Sequence, residues 1–216
     1  MEQAAIYQLL VERLGDTAGL AWHEEGPQSF ATVAAEQIQA VARFLREEPR
    51  LDFDLLMCLS GIDWDGYDEN GKGKSVDILG YREDGIPETS DRVAEGDLGV
   101  AYHLYSYQHE HQFALQLRVR RGKPIVTTVS DIWPTAEWHE REAFDLLGIQ
   151  FSGHPDLRRI LLEDSWVGHP LRKNYQMPGQ WQEVPLKGQP YSKNPFKPEQ
   201  DSVADDSGDS GNSGEG

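Results

Sequence analysis

Two segments fifteen residues apart place the same side chains in the same order. Gly153-His154-Pro155 leads to Leu157, Arg158 and Arg159, and Gly168-His169-Pro170 leads to Leu171, Arg172 and Lys173. In each, Gly permits unusual backbone angles, Pro fixes φ and His can bridge to backbone groups, so each reads as a tight turn that aims cations in a set direction. The guanidinium groups suit two-pronged pairing with carboxylates, and Lys173 suits a simpler pairing. Trp166, between the turns, is the kind of side chain that anchors an interface. Candidate carboxylates lie upstream at Glu140, Glu142 and Asp145. Glu140 stands on the apolar stripe Ala136, Glu140, Ala143, Leu147, where an unpaired charge costs several kcal/mol. Either that stripe is not fully buried, or Glu140 or Glu142 meets Arg158, Arg159 or Arg172.

Other stretches imitate chemistry and fall short of it. His109-Glu110-His111 sets two imidazoles two apart, too few for a metal site and placed in a predicted turn. Trp138-His139-Glu140-Arg141-Glu142 begins like a zinc-protease helix, but Ala143 stands where the second His belongs. GYDENGKG (66–73) lacks the Ser or Thr of a phosphate loop, and neither a strand before it nor a helix after it is predicted. Asp63, Asp65, Asp68 and Glu69 do not keep the spacing of a helix–loop–helix calcium site. The single Cys58 excludes an internal disulfide and any cluster or cysteine-based zinc site held by this chain alone. No nucleophile triad order and no Gly-rich dinucleotide fingerprint occur. The reading is therefore no catalytic residue, no cofactor site and no metal site.

The 216 residues carry 20 Lys and Arg against 37 Asp and Glu, a net charge of −17 at pH 7. Such acidity argues against a nucleic-acid partner. No apolar run is long enough for a membrane span, and the chain opens without a secretion signal. Residues 199–216 hold six acids, no bases and one apolar pair, a composition that predicts disorder.

The elements that must position these side chains alternate irregularly. Helices are predicted at 2–14, 35–47 and 135–147, the last with Glu137 at its positive end and Gly148 at its stop. Strands are predicted at 20–23, 29–33, 53–62, 75–81, 100–107, 112–120 and 125–129, with 108–111 joining a hairpin. This is an α+β pattern: one mixed sheet with packed helices, in a two-layer domain over 1–150. Seven prolines after Phe151 predict an extended arm over 151–198, with one helical turn near 157–162.

The stretch 132–175 resembles the 30 kDa subunit, also called the C subunit, of proton-pumping NADH:quinone oxidoreductase (respiratory complex I). The resemblance is carried by Glu140-Arg141-Glu142, Asp145-Leu146-Leu147, His154, Arg158 and Ile160, and more weakly by FDLLMCLSGIDW (53–64) and YHLYSYQHEHQFALQLRV (102–119). Asn174 departs from the pattern, standing where an acid is expected. The resemblance implies a subunit without a redox centre, in a complex that uses FMN, iron–sulfur clusters, NADH and quinone. It implies contact with two neighbours: the D subunit, which helps form the quinone site, and the B subunit, which carries the terminal cluster. It also implies a peripheral position on the cytoplasmic face of the bacterial inner membrane. A homologous subunit of a membrane-bound hydrogenase or related complex is the alternative. The candidate interface comprises Glu140, Arg141, Glu142, Asp145, His154, Pro155, Arg158, Arg159, Trp166, His169, Arg172 and Lys173. Two destinations for its cations stay open: a docking strip onto the quinone-site subunit, or a fold-back onto Glu140, Glu142 and Asp145.

Overall fold

Ile38, Val41, Ala42 and Leu45 recur at helical spacing, and all four are buried. That stripe, repeated on two other helices, decides the layering. A computed structural model describes residues 1–24, 28–64, 78–81, 87–89, 97–175, 177–182 and 184–185. The helices are α1 (Gln3–Leu14), α2 (Ile38–Glu47) and α3 (Ala136–Leu147). The strands are β1 (Ala21–His23), β2 (Phe30–Thr32), β3 (Leu55–Asp63), β4 (Ile78–Tyr81), β5 (Pro87–Thr89), β6 (Asp97–Ser106), β7 (His111–Arg120), β8 (Ile125–Thr127), β9 (Gln150–Ser152), β10 (Gln180–Trp181) and β11 (Val184–Pro185). The phosphate-loop imitation at 66–73 and the acidic segment 199–216 lie outside the described residues.

Five strands form one mixed sheet in the order β1-β2-β7-β6-β3, with a parallel pairing only between β2 and β7. The predicted hairpin is its centre: Tyr102 faces Leu115 and Leu104 faces Phe113 across β6 and β7. These side chains share one core with Ile6 and Leu10 of α1, the α2 stripe, and Ala136, Ala143 and Leu147 of α3. The expected α+β class and mixed sheet are thus present.

The chain divides into two compact units, Met1–Met177 and Pro178–Gly216. In the second, β10 and β11 pair antiparallel. In the first, α3 is set in place from both sides. The Trp133 indole N–H donates to the Phe53 carbonyl at 2.8 Å, just before the helix starts. On β3, a Cβ added to Gly61 would lie 2.5 Å from Leu147 Cδ1 and 3.3 Å from Ala143 Cβ, so the missing side chain lets the helix press onto the strand. After α3 the chain pairs β9 with β8 in parallel and then continues to residue 175 through turns and bends, without helix or strand. The helical turn predicted near 157–162 is not formed. The N–H groups of Ile160, Leu161 and Leu162 all donate to one carboxylate oxygen of Asp145 instead.

Candidate functional site

Asp145 faces inward from the last turn of α3 and is wholly buried. Its Oδ2 accepts the N–H groups of Ile160, Leu161 and Leu162 at 3.1, 2.8 and 2.9 Å. Its Oδ1 pairs with Arg159 Nη1 at 2.7 Å. Burial alone would raise this carboxyl, but the N–H groups of Leu162 and Leu161, the Arg159 guanidinium and the Ile160 N–H together hold it below the usual aspartate value. Arg159 in turn donates through Nη2 to the carbonyls of Trp166 and Gly168, each at 3.1 Å. One carboxylate and one guanidinium thereby tie together the two Gly-His-Pro segments.

Both turns have the geometry their residues demand, with φ of 85° at Gly153 and 80° at Gly168. Both histidines reach the backbone of α3. His154 Nε2 lies 3.1 Å from the Glu137 carbonyl, while Nδ1 receives the Asp156 N–H at 3.0 Å. A carbonyl only accepts, so the His154 proton sits on Nε2. His169 donates from Nδ1 to the Asp145 carbonyl at 2.8 Å. Burial pushes the His169 pKa down to about 4, helped by the cations Arg172 and Arg159, so this ring is neutral at pH 7.

The second turn caps the helix. The last four carbonyls of a helix lack partners within it. Here Phe144 receives the Gly148 N–H at 2.8 Å, Asp145 receives His169, Leu146 receives the Leu171 N–H at 3.0 Å, and Leu147 receives Arg172 Nε at 2.6 Å. Arg159 and Arg172 also bring positive charge to the negative end of the helix dipole. Arg172 Nη2 is buried without a hydrogen bond, and burial, with Arg121 nearby, lowers the Arg172 pKa to about 10. Gly148 makes room for this cap. Its φ is +72°, and a Cβ there would stand 2.5 Å from Arg172 Nη2 and 2.6 Å from His169.

Glu140, wholly buried five residues before Asp145, has a different environment. No arginine among the described residues bonds to it, which corrects the expected pairing with Arg158, Arg159 or Arg172. Its Oε1 accepts the Val129 N–H at 2.8 Å, and its Oε2 lies 2.5 Å from Thr128 Oγ1. Burial raises its pKa to about 7, and these two hydrogen bonds offset only part of the rise. Arg141 donates from Nε and Nη2 to the carbonyls of Arg158 and Arg159, both at 3.2 Å, and stacks over Trp138 at 5.1 Å.

The remaining candidates face outward. Glu142, Pro155, Arg158 and Lys173 are exposed, and Trp166 is half-buried. Arg158 pairs with Asp156 at 2.8 Å rather than with Glu142. Of the two histidines that are too few for a metal site, His109 bonds to the Pro49 carbonyl and His111 to the Leu51 carbonyl. Among the described residues, no three His, Cys, Asp or Glu are grouped to hold a metal ion, and no helix is long and apolar enough to cross a membrane.

Sequence reasoning missed a second tie. Asp63, read as part of an acidic loop, forms a buried ion pair with Arg121 and accepts the Lys173 N–H at 2.8 Å. Asn174, the departure from the family pattern, accepts from Arg121 Nη1 at 3.4 Å. Only the lone acid at the end of an apolar strand could have signalled this. The arm is therefore fixed at α3 and again at the end of β3.

The family described as "Respiratory-chain NADH dehydrogenase, 30 Kd subunit" matches residues 31–181, which include every group in this network. The chain belongs to that family. The C subunit of NADH-quinone oxidoreductase from Chloroherpeton thalassium is 34% identical over 172 residues, 79% of this chain. The subunit of the same description from Chlorobium phaeobacteroides is 34% identical over 174 residues, 80% of this chain. The matched part spans 60% of the first relative and 88% of the second. A solved trypsin-resistant fragment of Nqo5 is 22% identical with a TM-score of 0.47, over 70% of this chain and 99% of that fragment. For a member of the 30 kDa-subunit family, the network shows what its charged segment does within the chain: it locks an irregular arm to a helix end.

Proposed function

We infer that this chain is a non-catalytic subunit of the peripheral arm of a proton-translocating NADH:quinone oxidoreductase. The family match over 31–181 carries the reading. NADH oxidation, electron transfer through FMN and iron–sulfur clusters, and quinone reduction belong to the complex. This chain contributes a shaped, cofactor-free surface that supports assembly. Its neighbours on this reading are the D subunit, which helps form the quinone site, and the B subunit, which carries the terminal cluster, on the cytoplasmic face of the bacterial inner membrane.

The candidate interface residues divide by task. Arg141, Asp145, Arg159, His169 and Arg172 hold the first part of the 151–198 arm in place, because each bonds between α3 and the segment that follows it. Glu142, Pro155 and Arg158 are exposed, so a partner can reach them. Held this way, the arm meets its neighbour already ordered, which lowers the entropic cost of association.

The test is purification of the tagged full chain from gently solubilised membranes. Recovery of a multi-subunit complex with NADH:quinone activity is the expected result. A chain recovered alone, or with a large subunit carrying paired metal-binding cysteines, would overturn the reading.

A further inference from the structure

Resting on the reading that the chain works inside a multi-subunit complex, we propose that the groove between β3 and α3 receives an extended segment of a neighbouring subunit, which adds to the sheet as a further strand.

Strand β3 ends the five-stranded sheet, and among the described residues no strand pairs with its outer side. Leu55 to Ile62 carries no charge and no proline. Natural edges are commonly blunted by lysine, proline or bulges, because an open row of N–H and C=O groups is a template for another chain. One irregularity falls between Leu56 and Cys58, and beyond it six residues keep unbroken register with β6, from Cys58 opposite His103 to Asp63 opposite Leu98. The usual protections are thus missing where the ladder is most regular.

Beside this edge lies a groove of about 290 Å³, lined by Cys58 to Gly61 on the strand and by His139, Glu142 and Leu146 on the helix. Leu171 lines it too and is 57% exposed, although its own N–H is bonded to the Leu146 carbonyl. The helix cap therefore holds an apolar side chain in water at a fixed place. Glu142 is exposed on the rim and makes no ion pair among the described residues. A strand edge beside an apolar groove is the geometry by which sheets take up extended peptides: backbone bonds supply affinity, and alternate side chains supply specificity. The matching occupant has an apolar side chain entering the groove and a Lys or Arg placed to reach Glu142.

Cys58, the chain's single cysteine, lines this groove and reports on its occupancy. The tagged full chain, free and in the purified complex, would be treated with N-ethylmaleimide and separately followed by amide exchange. Assembly should slow Cys58 labelling by at least ~10-fold and slow exchange across 55–63 by a similar factor. Attaching a bulky maleimide to the free chain should block its incorporation, while Cys58→Ser assembles and is insensitive to the reagent. Glu142→Lys should lower retention in the complex by on the order of 5-fold, the scale of one rim ion pair.

Equal labelling rates in both states would overturn the proposal. So would a protected thiol with unchanged β3 amides, which would mean an occupant that is not a strand. A thiol already shielded in the free chain would assign the groove to another part of this chain. A chain recovered alone removes the underlying reading and the proposal with it, whereas assembly with a reactive Cys58 removes the proposal alone.

Discussion

Glu140 and Asp145 sit on one helix, five residues apart, and both carboxylates are wholly buried. Their pKa values nevertheless move in opposite directions, up to about 7 for Glu140 and below the usual value for Asp145. Burial penalises both charges. What differs is the company: three backbone N–H groups and a guanidinium around Asp145, one N–H and one hydroxyl around Glu140. A buried acid stays ionised when enough donors converge on it, and depth alone does not decide the outcome. The donors of Asp145 all come from the irregular arm, so its charge directly holds that arm. Glu140 instead fixes the loop after β8 and can do so while carrying a proton.

The same acid-to-amide change at both positions should divide them most sharply. Asp145→Asn leaves Arg159 without its counter-charge and turns an amide NH2 toward backbone donors. Breaking such a buried pair costs about 3–5 kcal/mol. Urea unfolding of the full chain should show this loss at pH 7, with faster amide exchange over 157–172. Glu140→Gln keeps an acceptor for Val129 and a donor for Thr128, as the protonated acid does, so at pH 7, where the parent bears the cost of holding that proton, its unfolding midpoint should be no lower than that of the parent. Equal losses in the two variants would erase the distinction.

The pH dependence makes the next difference. Between pH 4.5 and 7 the unfolded chain loses the Glu140 proton while the folded chain keeps it, so stability falls as pH rises. A rise of this size corresponds to roughly 3 kcal/mol. His169 acts in the opposite sense. Between pH 6.5 and 4 the unfolded chain takes up a proton that the folded ring refuses, so stability is lost as pH falls. In the parent the two slopes oppose each other from about pH 4.5 to 6.5. Glu140→Gln removes one of them, and its stability should rise by roughly 3 kcal/mol across that window relative to the parent. Parallel curves for the two proteins would show that Glu140 is already ionised in the fold.

Much of the scaffold was legible because periodicity reports burial directly. The α2 stripe, the β6–β7 hairpin and the helix stop at Gly148 follow from side-chain spacing and from one residue that tolerates positive φ. The charge-rich stretch from Glu140 to Arg158 also carried the family. Partners were harder to read. Glu140 stood out as a carboxylate on an apolar stripe, yet Thr128 and Val129 hold it from a loop that only tertiary folding brings near. Asp145 is held largely by backbone N–H groups, which leave no mark in residue type. That same capture explains why 157–162 is not helical: its amide groups serve the carboxylate and are lost to a helical ladder. The arginines followed suit, since the sequence could count them but could not tell an inward guanidinium from an outward one.

A smaller perturbation separates the two sets of groups around Asp145. Gly148→Ala forces a side chain into left-handed backbone and against Arg172 and His169, while the three N–H groups from 160–162 keep their carboxylate. The strain and the displaced helix cap should together cost about 2–4 kcal/mol. Exchange should quicken at 169–175 and stay slow at 160–162. Loosening of both segments together would show that the turns act as one unit, and that the Asp145 donors cannot hold the arm without the cap.

Arg158→Ala should do least to the fold, and for that reason it sharpens the contrast. Its ion pair with Asp156 joins side chains that are 68% and 58% exposed, in solvent that already screens both charges. Arg159, the next residue, spends its guanidinium on Asp145 and two carbonyls. The unfolding midpoint of Arg158→Ala should match the parent at low and high salt. Any effect belongs in retention by the complex, where an exposed guanidinium can meet a partner's carboxylate. A drop in the free chain's stability as large as that of Asp145→Asn would mean that exposed and buried charges count alike in this arm, and the number of converging donors would no longer explain why one carboxylate anchors it.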